Sequence, residues 1–130
     1  MSTQYSNTLK FHNEWTMAIK GVWVAYSNSG TGTRFFDQLL ATPLAVGGDV
    51  SLSPPDPAIV SVTGDTDHWT VTILDEDNRL WGTEMNVSGN IPHMNGEIEI
   101  TVMTTPGKPI EWAVFRFPDG ESEKFPLTRI

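Results

Sequence analysis

The chain has 130 residues, with eight Lys and Arg against sixteen Asp and Glu, for a formal charge of −8. A surface this acidic repels phosphate backbones and anionic lipid, and its basic residues are scattered singly, so no nucleic-acid partner is expected. The absence of cysteine removes disulfides and thiol chemistry and fits a reducing compartment.

The length suits a single domain spanning residues 1–130. The opening Met1-Ser2-Thr3-Gln4-Tyr5 has neither a basic stretch nor an apolar core, so the expectation is a cytoplasmic protein without a secretory signal. No apolar run nears the roughly 20 residues that a spanning helix needs, so no transmembrane segment is expected.

In chain order, Leu9–Phe11 and Trp15–Ile19 give weak strand signals. Val22-Trp23-Val24-Ala25-Tyr26 is rich in β-branched and aromatic residues and runs into the turn composition Ser27-Asn28-Ser29-Gly30. Arg34–Ala41 predicts a short helix, with Phe36, Leu39 and Leu40 on one face, Thr33 as cap and Pro43 as stop; an extended Phe35–Leu40 is the alternative. Gly47-Gly48-Asp49 marks a turn, and Ser53–Pro57 reads as a loop crossing between sheets. Ile59–Val62 is a strand leading to Gly64-Asp65, and Trp69–Ile73 alternates strictly, with Trp69, Val71 and Ile73 on one face. Turns follow at Asp75–Asn78 and Gly89–Pro92. The cleanest strand is Gly96–Val102, which points Ile98, Ile100 and Val102 inward and Glu97, Glu99 and Thr101 to water, as in a half-buried antiparallel strand. After the Pro106–Pro109 turn, Ile110–Phe117 forms another strand, closed by Pro118-Asp119-Gly120. Trp23, Trp69 and Trp112 each open a strand that returns on an aromatic (Phe35, Trp81, Phe125), a meander of Trp-anchored hairpins. The fold class is all-β: an antiparallel β-sandwich or a closed β-barrel with at most one short helix.

Motifs for chemistry are sparse. None of His12, His68 and His93 stands at metal-pair spacing from another, so no metal is expected, nor any other cofactor. His12 and Glu14 share a strand face, the arrangement of a general base and its orienter; with Tyr26 they are the catalytic candidates. Asp75-Glu76-Asp77-Asn78 offers carboxylates but lacks the Gly and distal Glu of a calcium loop, and reads as a solubilising hairpin tip. Gly30-Thr31-Gly32-Thr33 lacks the Lys of a phosphate loop, and no nucleophile elbow occurs. Five Trp are many for this length, and an indole suits stacking on sugars and insertion at membrane interfaces. Trp69 and Trp112 belong to inward faces, whereas Trp15, Trp81, Asn78, Asp77 and Asn86 are the candidate ligand-binding residues of an exposed surface.

The stretch His68-Trp69-Thr70-Val71-Thr72-Ile73-Leu74-Asp75-Glu76-Asp77-Asn78-Arg79-Leu80-Trp81, with Asn86 and Asn95–Val102, resembles the hairpin rhythm of small cytolysin-like β-sandwiches, the aegerolysins. It covers about a third of the chain; Thr42–Pro57 departs from the family pattern. The resemblance implies an acidic, cysteine-poor domain that binds membrane lipid. Gly21-Val22-Trp23 is similar to the Gly-x-Trp of a calycin barrel's first strand, which implies instead a hollow barrel of the lipocalin kind.

Two functions follow. The first is a non-catalytic binding module that recognises a glycan or lipid headgroup through exposed aromatics and polar loops. The alternative is a calycin-type barrel holding a hydrophobic small molecule, even a cyclase or isomerase, with His12, Glu14, Met17, Tyr26, Met85 and Met103 lining its pocket. Oligomeric state is open in both, a homo-oligomer included.

Overall fold

The computed structural model describes residues 4–28, 32–52, 59–62, 66–92, 94–105, 107 and 110–130, with residues 4, 32–41 and 59–62 described by backbone alone. The Ser53–Pro57 loop, Gly64-Asp65, His93 and most of the Pro106–Pro109 turn lie outside the described residues.

Eleven strands succeed one another: β1 (Gln4–Glu14), β2 (Ile19–Asn28), β3 (Gly32–Leu44), β4 (Asp49–Ser51), β5 (Ile59–Val62), β6 (Asp67–Asp75), β7 (Leu80–Gly82), β8 (Val87–Ser88), β9 (Gly96–Thr104), β10 (Glu111–Arg116) and β11 (Ser122–Arg129). They form one sheet in the order β3-β2-β6-β7-β11-β10-β9-β1-β4, with β5 also on β1 and β8 on β6. The strands at its two margins, β3 and β4, are consecutive in the chain and joined through a turn at Gly47, whose φ of 88° favours glycine. The sheet therefore curls back on itself into a nearly closed barrel. The all-β expectation holds, in a barrel-like form that is nearly but not fully closed.

Asn13 fastens the seam. Its side chain is fully buried; Nδ2 donates to the carbonyls of Met17 (3.0 Å) and Leu44 (2.9 Å), and Oδ1 accepts from the Trp15 N–H (2.9 Å). Its backbone completes the clasp, donating to Gly48 O and accepting from the Gly47 N–H. One side chain thus ties β1, the β1–β2 connection and the end of β3 together, with every polar atom of its amide used.

Inside, Leu9, Phe11, Val22, Val24, Tyr26, Trp69, Val71, Ile73, Ile98, Ile100, Val102 and Phe115 are buried, alternate residues of five strands. Trp69 stands at the centre, 4.7 Å from Tyr26 and 5.0 Å from Phe115 between ring centroids, with its Nε1–H donating to Gly89 O. Aromatic contacts at such tilted angles add to the area they bury. A buried carboxylate organises each end of the barrel. At one, Asp67 accepts from the Tyr26 hydroxyl, Asn28 Nδ2 and the Ile91 N–H. At the other, Asp75 accepts from Trp81 Nε1 and from the N–H groups of Asp77 and Arg79.

Three expectations change. The helix over Arg34–Ala41 is instead part of the thirteen-residue β3, paired from Gly32 to Leu44 with β2. Two turns of helix form few bonds for the residues they fix, while the ladder on β2 pairs the segment continuously from Gly32 to Leu39. Trp15–Ile19 is a bend leading into β2. The Gly96–Val102 strand has its inward residues as expected, but β9 is antiparallel only to β10; its other neighbour, β1, runs parallel to it.

Replacing Asn13 with Ala leaves two carbonyls and one N–H without their partner at a dry seam. The expected loss is about 2–4 kcal/mol of unfolding free energy, seen as a lower urea midpoint with unchanged slope.

Candidate functional site

The sheet's outer face over β1, β9, β10 and β4 carries a cluster of ion pairs among the described residues. Parallel pairing of β1 with β9 sets Lys10 opposite Glu99, His12 opposite Thr101 and Glu14 opposite Met103. On the far side, β10 places Arg116 opposite Glu99, Val114 opposite Thr101 and Trp112 opposite Met103. The short β4 adds Asp49 opposite His12 and Ser51 opposite Lys10. Because side chains alternate across a strand, this polar lattice is the back of the apolar set Leu9, Phe11, Ile98, Ile100 and Phe115. His12, Glu14, Glu99, Thr101, Met103 and Arg116 line an open depression of about 400 Å³.

His12 is gripped from both sides: Nδ1 meets the Asp49 carboxylate, and Nε2 lies 2.5 Å from Glu14 Oε1. The Glu14 hydrogen bond first, and then Asp49, hold the imidazole above its ordinary pKa against the opposing effect of burial. The same His12 contact holds the Asp49 carboxyl below the usual range. Lys10, 3.5 Å from Asp49 and 3.7 Å from Glu99, is raised chiefly by the charge of Asp49. Thr101 donates its hydroxyl to Glu99 Oε1 at 3.1 Å; it lies on the outer face as expected but is nearly covered there.

This geometry limits the chemistry. A carboxylate beside each ring nitrogen favours the imidazolium form of His12, which has no lone pair for proton abstraction. Glu14 and Asp49 stand on opposite sides of the ring and do not converge on one point, and no group of three His, Asp or Glu able to hold a metal occurs among the described residues.

The other candidates are dispersed. Tyr26 is buried in the core, its hydroxyl donating to Asp67, while His12 and Glu14 face outward. Trp15, expected on an exposed surface, is only 3% exposed, and its Nε1–H donates to Glu111 Oε2 at 2.6 Å. Trp81 is half-buried, in edge contact with Trp15 at 5.3 Å and bonded to Asp75. Both indoles seal the barrel end, because burying them there also gives each N–H a carboxylate acceptor. Trp112, expected inside, lies half-buried on the outer face, with Lys124 4.6 Å above its ring and Nε1–H donating to Thr105. Asn78 and Asn86 have φ of 64° and 56°, turn conformations that Asn tolerates well, and Asn78 also accepts from Lys20. Asp77 is exposed and gives its backbone N–H to Asp75. Of the pocket candidates, Met17 packs on the core and Met85 is 80% exposed, whereas Met103 joins His12 and Glu14 in the depression.

Asp49, Glu99, Thr101 and Arg116 are site residues that reading along the chain missed. Parity within each strand was available, but strand order was not, and the parallel β1–β9 pair is what brings them together. Comparison with protein-family models and with curated protein sequences gives no match.

The electrostatics fix a pH window. His12, raised when folded, contributes stability fully below its unfolded value of about 6.5 and loses that contribution as pH climbs through the higher folded value. Asp49, lowered, contributes above 3.8 and loses it as pH falls through its folded value. Urea midpoints measured across pH should fall on the alkaline side of 6.5, and His12→Gln should flatten the curve there. A wild-type profile that is flat there would refute the clasp.

Proposed function

We propose that this chain is a non-catalytic binding module whose outer β1–β9–β10 face recognises a glycan or a lipid headgroup. The observation that carries the reading is the open depression itself. Two carboxylates, the His12 imidazole, a hydroxyl and a guanidinium line it together with the apolar side chain of Met103, and Trp112 stands opposite Met103 in the ladder. Sugars and headgroups present that mixture in return: dense hydroxyl or ionic groups over small apolar faces. The strands hold these side chains at fixed spacing, so little ordering is needed on binding. The raised pKa of His12, clasped between two carboxylates, leaves less of it unprotonated to act as a base and favours binding over catalysis.

The lipid-headgroup arm of the proposal also draws on the resemblance of His68–Trp81 and Asn95–Val102 to the aegerolysins. Strand β9, from the second of these segments, supplies Glu99 and Thr101 to the depression. Relative to the expectation from sequence, the proposed surface moves from the Asp77–Asn86 loops to the sheet exterior. The alternative of a hydrophobic ligand inside the barrel is less favoured, because the large side chains of Trp69, Tyr26, Phe11 and Phe115 are buried in the described interior.

Amide chemical-shift mapping with a panel of simple sugars and free phosphocholine tests the reading. Shifts are expected to cluster at Lys10–Glu14, Glu99–Met103 and Trp112–Arg116, and Glu14→Gln should weaken binding about tenfold, the value of one charge-assisted hydrogen bond. A response confined to the Asp75–Asn86 turns, or none across the panel, would remove it.

A further inference from the structure

We infer that the depression selects a carboxylate-bearing sugar, anchored through Arg116; this inference rests on the outer-face reading above. The argument is one of charge left over. Around the depression, Lys10 is taken up by Asp49 and Glu99, and His12 by Glu14 and Asp49. Arg116 is exposed on the wall and forms no ion pair among the described residues. Glu99 stands directly opposite it, yet the Glu99 carboxylate is already engaged by Lys10 and by the Thr101 hydroxyl. The guanidinium therefore offers its planar fork of donors to solvent, and that fork matches the two oxygens of a carboxylate in bidentate fashion.

The surrounding charge sets how much negative charge a ligand can bring. Three carboxylates, Glu14, Asp49 and Glu99, share two cations, Lys10 and His12, so the floor keeps one negative charge beside the positive Arg116. A single carboxylate is neutralised by Arg116, but a phosphate near its dianionic form meets the excess carboxylate at short range. Hydroxyls on the same sugar ring can donate to Glu14 and Glu99, which line the depression, while Met103 takes an apolar ring face. A sugar acid supplies all three features in one small ring.

The test compares D-glucuronate, methyl glucoside and glucose 6-phosphate at one ionic strength, by shift titration of the wild-type chain, Arg116→Gln and Arg116→Lys. The wild type should bind glucuronate about tenfold more tightly than the glucoside, with the phosphate weaker than glucuronate. Arg116→Gln should abolish that preference, bringing glucuronate down to the affinity of the glucoside, with the dispersed amide spectrum of a folded chain retained. Arg116→Lys should restore part of it, a lysine being a point charge without the fork. Glucuronate and glucoside binding equally, or glucuronate binding unchanged in Arg116→Gln, overturns the assignment to Arg116 and leaves the outer-face reading standing. No response on the outer face to any of the three sugars removes the sugar-acid assignment. Phosphocholine then decides the fate of the outer-face reading.

Discussion

The barrel depends on one amide. A sheet that curls until its first and last strands meet must join two margins whose backbone groups face each other without a regular ladder between them. Asn13 bridges this gap with its side chain and its backbone at once, reaching the β1–β2 bend, the end of β3 and the turn into β4. A hydrophobic residue there would bury as much surface but leave three backbone groups unpaired, and buried unpaired groups cost more than the packing returns. The neighbouring Trp15 and Trp81 can then close the end of the barrel, because the bend that carries Trp15 is held in place by the Asn13 Oδ1 contact.

The same strand governs the outer face. β1 pairs with β4, β5 and β9, and it runs parallel to β9. Its inward residues, Leu9, Phe11 and Asn13, build core and seam; its outward residues, Lys10, His12 and Glu14, build the charge lattice. The two cannot be separated, since a slip of one residue would exchange them. The inner face therefore fixes the register at which His12 meets Asp49 and Thr101. Geometry at the candidate site is inherited from the seam.

Much of this was legible along the chain. Strict alternation located β6 and β9 and named their inward residues, and Ile59–Val62 marks β5 to the residue. The weak Leu9–Phe11 signal is the middle of an eleven-residue strand, because Asn7 and Asn13 occupy inward positions where a pattern reader looks for apolar side chains. Trp misleads for a related reason: it has an apolar body and a polar tip, and parity alone does not say which face a strand turns inward. Hence Trp112 lies outside and Trp15 inside, each reversed from expectation. Phe36, Leu39 and Leu40 mimic a helical face over a segment whose backbone is claimed by β2. Of the proposed site, His12 and Glu14 were visible as a same-face pair. The residues that surround them come from three other strands and depend on pairings that no local pattern specifies.

Acidic residues divide into two kinds of use, and the division explains how a chain of this charge folds and still presents a depression without a uniform negative field. Asp67 and Asp75 are buried and spend their charge on donors of the fold itself. Burial works to raise the Asp75 carboxyl, but bonds from Trp81, Arg79 and Asp77 outweigh it and hold the group below its ordinary value. The acidic Asp75–Asn78 segment is thus a turn organised by its first residue, and its remaining carboxylates are left in solvent. Around the depression, by contrast, Asp49, Glu14 and Glu99 spend their charge on Lys10 and His12, both cations of β1. Surface pairs of this kind add little to stability singly, but they fix the side chains that form the floor and lower its negative field. The acidity of the depression's floor is thereby partly neutralised beside Arg116, which forms no ion pair among the described residues.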